Sequence, residues 1–234
     1  MNITLSRPLV EAFGGYCADL YGGKPFSRKT LNLVHRNLPG FEHRAVHVSS
    51  FEEYLRLISL VYSKDKITIP VSFNNSELCQ LQDLVDGCNS GRSDLYSMYL
   101  CSLLFPSGKF PVAVKDFIPY FMSGWQDYGY QLVFTGEICA LYSEICPLPM
   151  TALVRAACFY YQNIAPGELR ITDSASVAVT NASTGWRKFF IRGSAAFKNR
   201  LFELKRATGK TINCVVNNAA FQFLSNMREL AREK

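Results

Sequence analysis

Apolar residues recur three and four positions apart at Phe51, Tyr54, Leu55, Ile58, Val61 and Tyr62, the spacing of one helix face. Ser50 stands before that run and Glu53 three residues later, so a capping box predicts where the helix starts. The same spacing returns over 76–85 (Leu78, Leu81, Leu84, Val85) and is closed by Gly87. A third helix is predicted over 94–105, stopped by Pro106, and a short one over 9–20 between Gly-rich flanks. Pro111 fits the first turn of a helix over 112–117, with Pro119 ending it. Short strands are expected at 31–35 and 45–48 around the turn-like 37–40, and an extended segment at 66–73 broken by Pro70.

The second half begins with an aromatic, Gly-containing connector over 121–130. It separates an N-terminal mostly helical lobe, 1–124, from a C-terminal helical lobe, 125–234. Apolar helices are predicted over 136–145 and 150–162, split by Pro147 and Pro149, and the second carries Arg155 among Leu153, Val154, Ala156 and Ala157. An Arg in such a setting is expected to find an internal partner. Residues 169–180 alternate, with Ile171, Ala175, Val177 and Val179 set among Arg170, Thr172, Ser174 and Ser176, and read as a strand. Over 212–232, Ile212, Val215, Val216, Ala219, Phe223, Met227 and Leu230 form one face of an amphipathic helix. The fold class is therefore mainly α with a few short strands. It is expected as two helical lobes with a basic groove or face between or beside them and the terminal segments as arms.

Charge changes this picture. Residues 187–234 hold 11 Lys/Arg and 3 Asp/Glu, a balance of +8, while 1–186 hold 14 and 16, a balance of −2. A near-neutral body with a cationic final fifth points to a localised polyanion site. The cations concentrate in 186–210, where eight Lys/Arg stand with one acidic residue, Glu203, and five aromatics. The second half of that stretch reads as a helix with Ser194 as N-cap and Gly209 just past its end. At 100° per residue, Phe197, Leu201 and Leu204 fall within about 60° of one another, and Lys198, Phe202, Lys205 and Arg206 span roughly 100° beside them. One flank seats the helix; the next presents three cations around a ring.

Catalytic patterns are sparse. Thr208-Gly209-Lys210-Thr211 resembles the end of a phosphate-binding loop, but Leu204 stands where the first Gly is needed. His43 and His47 are four apart across an expected strand, without a carboxylate pair or Cys-x-x-Cys. A metal-dependent nuclease built on Asp173, Glu203 and Lys205 is the chief enzymatic alternative. It places Glu203 and Lys205 about 200° apart on a helix, which does not aim them at one site. No cofactor, metal or catalytic residue is assigned. The eight cysteines sit mostly in apolar helical patterns and read as reduced core thiols. The first residues lack a basic segment followed by an apolar core, and the uncharged run 211–227 contains four Asn, a Gln and a Ser. The expectation is accordingly no membrane span and a reducing, cytoplasmic compartment or a virion.

The reading that follows is a sequence-independent binder of single-stranded RNA. By analogy of size, architecture and charge it extends to a nucleocapsid-type coat that forms homo-oligomers through its terminal segments. Arg187, Lys188, Arg192, Lys198, Arg200, Lys205, Arg206 and Lys210 are the phosphate contacts; Trp186, Phe189, Phe190 and Phe202 are the stacking platforms. The alternative outside enzymology is a protein interaction module whose basic tail meets an acidic partner.

Overall fold

The computed structural model describes residues 1–21, 45–88, 91–113, 117, 128–172 and 187–233. It is mostly helical with short strands paired in twos. The chain divides into two units, Met1–Gly124 and Trp125–Lys234. Several expected features lie outside the described residues, among them the strand at 31–35, the turn at 37–40, His43, Pro119 and the first part of the aromatic connector.

In the first unit, β1 (Asn2–Ser6) runs antiparallel to β3 (Lys66–Pro70), with Ile3 opposite Ile69 and Leu5 opposite Ile67. Ile3 and Leu5 are fully buried while Asn2 and Thr4 face outward, so five residues suffice to anchor one edge of the core. The chain turns directly into α1 (Arg7–Tyr21), whose Leu9, Phe13 and Cys17 are buried at four-residue intervals. α2 (Phe51–Tyr62) starts at the expected N-cap: Ser50 Oγ accepts from the Glu53 amide at 3.2 Å, while Glu53 Oε2 reaches one residue past the cap and accepts from the Ser49 amide at 2.5 Å. After α3 (Asn75–Cys88), α4 (Arg92–Leu104) packs against β1, α1 and α2 and is enclosed all round, every residue from Leu95 to Ser102 being buried. Its buried hydroxyls bond back into their own helix, Ser97 to the Ser93 carbonyl and Ser102 to the Tyr99 carbonyl.

Pro111 does not open a helix. Phe110–Ala113 is a strand, β4, antiparallel to β2 (Ala45–Val48), with Val112 opposite Val46 and Pro111 opposite His47. In a pair of only two strands, a proline sits where no ladder donor is needed. The buried Val112 and Val46 then decide the conformation.

In the second unit, β5 (Tyr128–Phe134) pairs antiparallel with β6 (Arg187–Gly193), from Tyr128↔Gly193 to Phe134↔Arg187. α5 (Gly136–Ile145) follows β5 with Thr135 as N-cap. α6 (Met150–Phe159) continues into a π-helical turn, Tyr160–Ile164, closed by an Ala165 amide that donates five residues back to the Tyr160 carbonyl at 2.9 Å. α7 (Ala195–Thr208) leads to α8 (Ile212–Arg232), which packs on α5, α6 and α7.

The polar residues of α8 hold backbone. Asn213 Oδ1 accepts from the Val133 amide at 2.8 Å, and Asn217 Nδ2 donates to the Val133 carbonyl at 2.8 Å, gripping β5. Asn218 bonds both backbone groups of Thr172, and Gln222 both of Arg170. Residues 169–172 therefore form no strand: side-chain amides of a helix take the place of a partner strand, and the alternation there reflects that contact. The remainder of the expected strand lies outside the described residues. No single helix among the described residues is long and apolar enough to cross a membrane.

Candidate nucleic-acid interface

The pleat of β6 sorts its residues by period two. Phe189, Ile191 and Gly193 turn toward the core; Ile191 is buried, and Phe189 meets Phe134 edge-on at 5.6 Å. Lys188, Phe190 and Arg192 point the other way and are exposed. Opposite them on β5 stand Val133, Gln131 and Gly129. The ribbon thus carries a cation, a ring and a cation in sequence on one outward face.

Phe190 is 62% exposed, the only large hydrophobic side chain among the described residues to be so open. The tip of its ring lies over Gly129. A Cβ at that position would stand 2.0 Å from Phe190 Cζ, so the ring occupies the space a side chain would fill. The Arg192 guanidinium sits 5.8 Å from the same ring, within cation–π range. Water tolerates an exposed Phe poorly, and the Arg192 guanidinium with the bare glycine beneath gives the ring a place to rest.

α7 begins beside the end of this ribbon. Ser194 Oγ accepts from the Phe197 amide at 3.2 Å, and Gly209, with φ at +66°, closes the helix in the left-handed conformation that a side chain disfavours. Phe197 and Leu201 seat the helix, as the apolar stripe predicts. Lys198 on the next flank places its ammonium 3.9 Å from the centre of the Tyr128 ring; Tyr128 stands opposite Gly193 on the inward pleat, so this contact ties α7 to the end of the ribbon and not to its Phe190 face. Lys205 lies 5.9 Å from the Phe202 ring, and Arg206 is exposed one residue on. Arg155 is 5% exposed; its guanidinium donates to the Arg192 carbonyl and lies 5.7 Å from the Phe197 ring. It ties α6 to both the ribbon end and the helix start, the internal role expected of it.

The residues singled out from the sequence therefore fall into separate groups. Lys188, Phe190 and Arg192 share the ribbon face. Lys198, Phe202, Lys205 and Arg206 share a flank of α7, joined to the ribbon through Tyr128. Arg200 lies on the other flank, 2.9 Å from Glu203, and lines a cavity together with Lys210. Arg187 stands opposite Phe134 on the inward-facing pleat, and Phe189 packs there. Trp186 and Asp173 lie outside the described residues. Charge does not mark Gly129 or Tyr128; Tyr128, Gly129 and Tyr130 have the period of a strand, inside the stretch expected as a connector. Thr208-Gly209-Lys210-Thr211 is the junction of two helices, with Thr208 Oγ1 donating to the Leu204 carbonyl and Thr211 capping α8. Among the described residues no three His, Cys, Asp or Glu gather as metal ligands. Buried thiols are pushed up by desolvation, Cys101 and Cys158 to about 12, which keeps them protonated and unreactive.

Comparison with known protein families, curated proteins and solved structures finds no match to this chain.

Proposed function

We propose that the chain binds single-stranded RNA without sequence preference, through the outward face of the β5–β6 ribbon and the adjoining flank of α7. The observation that carries this reading is Phe190, open to solvent between Lys188 and Arg192 and laid over Gly129. Every base has a π-face, so a ring in that setting takes any base, while the cations on either side meet the phosphates. Lys198, Lys205 and Arg206 on one flank of α7 supply a second group of cations for the same strand. Catalysis, cofactor and membrane have no part in the proposal.

A coat further requires copies to associate along the strand. The Met1 ammonium donates to the Val71 carbonyl, and the first half of α8 is buried while Glu229 and residues 231–233 are exposed. The terminal segments are proposed to carry the association, and mass photometry of the protein with long RNA reads it directly.

The binding itself is tested by fluorescence anisotropy with labelled RNA 15-mers of unrelated sequence. Similar affinities are expected across sequences. Phe190→Ala is expected to weaken all of them alike, by about 1–3 kcal/mol. Equal affinity of wild type and Phe190→Ala overturns the assignment, and absence of RNA binding alongside binding to poly-glutamate favours an acidic protein partner.

A further inference from the structure

A cavity of about 580 Å³ opens on the flank of α7 turned away from the cations of the RNA face. Its apolar wall is made by Leu169, Ile171, Leu204 and Ala207, and its polar side by Arg200 and Lys210. This lies in the range of volumes that hold small ligands, and the lining sets apolar residues beside polar and charged ones, as such sites do.

Three features make it more than a surface dent. The π-helical turn Tyr160–Ile164 forms part of its wall, contributing Tyr161 and Gln162. A turn of that kind is rare and is found mostly at functional sites, since it widens the helix at the expense of its regular bonding. Gln162 Nε2 donates to the Arg200 carbonyl at 2.9 Å, so the π turn is fastened to α7 across the cavity. The Tyr161 hydroxyl accepts from Asn226 at 3.4 Å, which holds the same turn to α8.

The charge at the opening sets the ligand's sign. Arg200 and Lys210 bring two positive charges and Glu203 one negative. Arg200 and Glu203 form an ion pair with both side chains about half exposed, a contact of little net strength, so an incoming anion can take over the guanidinium. Apart from Tyr161, whose ring is buried and whose hydroxyl is bonded to Asn226, the apolar wall is aliphatic. With one ring among them, these residues suit a hydrocarbon chain better than a planar base, which seeks rings to stack on.

We propose that this cavity binds an amphipathic anion: an aliphatic body along Leu169, Ile171, Leu204 and Ala207, with one phosphate or carboxylate head at Arg200 and Lys210. The site is separate from the RNA face and does not depend on it.

Calorimetry of the full chain with decyl phosphate below its micelle concentration tests the proposal. Thermal shift under the same conditions serves as a second readout, because any ligand of the folded state raises the melting temperature. Saturable binding of one molecule per chain is expected. Ala207 is exposed on α7, so Ala207→Phe fills the cavity without entering the core, and it is expected to weaken binding roughly tenfold or more. Arg200→Gln with Lys210→Gln is expected to weaken decyl phosphate and decanoate alike. RNA affinity of Ala207→Phe should stay at the wild-type value, so failure here leaves the RNA reading standing. Inorganic phosphate binding as tightly as decyl phosphate overturns the aliphatic body. Adenosine monophosphate binding more tightly overturns it in favour of a nucleotide. Neither heat nor thermal shift with decyl phosphate, or full binding by Ala207→Phe, overturns the site.

Discussion

Gly129 shows how much a single missing side chain can do. Nothing about its charge or spacing in the chain marks it, yet the exposed ring of Phe190 rests where its Cβ would be. Gly129→Ala puts a methyl against the far end of an exposed side chain that can turn into solvent, so the fold should tolerate it. The ring must swing away from the ribbon. RNA affinity is expected to fall by about 1 kcal/mol or more with net charge and salt slope unchanged, measured by anisotropy over a salt series. An unchanged affinity would mean that the ring's placement is irrelevant to binding. A second single-residue effect concerns stability. Burial pushes the Asp94 carboxyl up to about 6, against the opposing pull of Lys66 and of its bond to the Gly91 amide. The folded protein then holds a proton that the unfolded chain has already lost between the ordinary carboxylate value and about 6, so stability falls as pH rises through that window. Asp94→Asn keeps an acceptor for the Gly91 amide and removes the buried charge. A gain of about 1–3 kcal/mol is expected at pH 7.5, disappearing below pH 4, by chemical denaturation at both values.

At the level of elements, legibility followed length and capping. α2 was readable because Ser50, Glu53 and a full apolar face all agree, and α8 because its apolar face runs through the whole helix. The strands were hard to read. β1 has only two inward residues. β4 contains Pro111, whose helix-starting habit outweighed two buried valines. β6 was obscured by chemistry: Phe189 and Phe190 put an aromatic on each face, so no polar–apolar alternation survived, and the stretch read as a basic segment without a period. That is also why the candidate site was only partly legible. The residue types were identifiable, but the sorting of Lys188, Phe190 and Arg192 from Arg187 and Phe189 needs the strand, and the strand needs β5. α8 illustrates the converse. Its Asn and Gln residues, which made the run a poor membrane span, are the groups that fix β5 and residues 170–172. Asn217 is fully buried and donates to the Val133 and Asn213 carbonyls. Asn217→Ala is expected to cost about 1–3 kcal/mol by leaving buried carbonyls short of a donor. Urea denaturation measures the loss, and a change within error would show that Asn213 alone suffices to hold β5 to α8.

For the whole molecule the question is whether the +8 balance of residues 187–234 acts as a diffuse field or as placed contacts. The geometry separates the two ideas, because α7 carries cations on opposite flanks. Lys198, Lys205 and Arg206 share one flank, with Lys198 at Tyr128 of the ribbon end, whereas Arg200 on the other flank lines the cavity with Lys210, just past the helix. A diffuse field would respond to lost charge in proportion, whichever flank loses it. Placed contacts would respond only on the ribbon side. Changing Lys198, Lys205 and Arg206 to Gln together is expected to weaken RNA binding at least about tenfold at moderate salt. It should also lower the slope of log affinity against log salt by about 2, at about 0.7 per contact on a single strand. Changing Arg200 and Lys210 to Gln should leave that slope close to wild type despite removing two positive charges. If both sets of changes reduce the slope in proportion to the charge removed, the interface is not on the ribbon, and general attraction to a basic protein accounts for the binding.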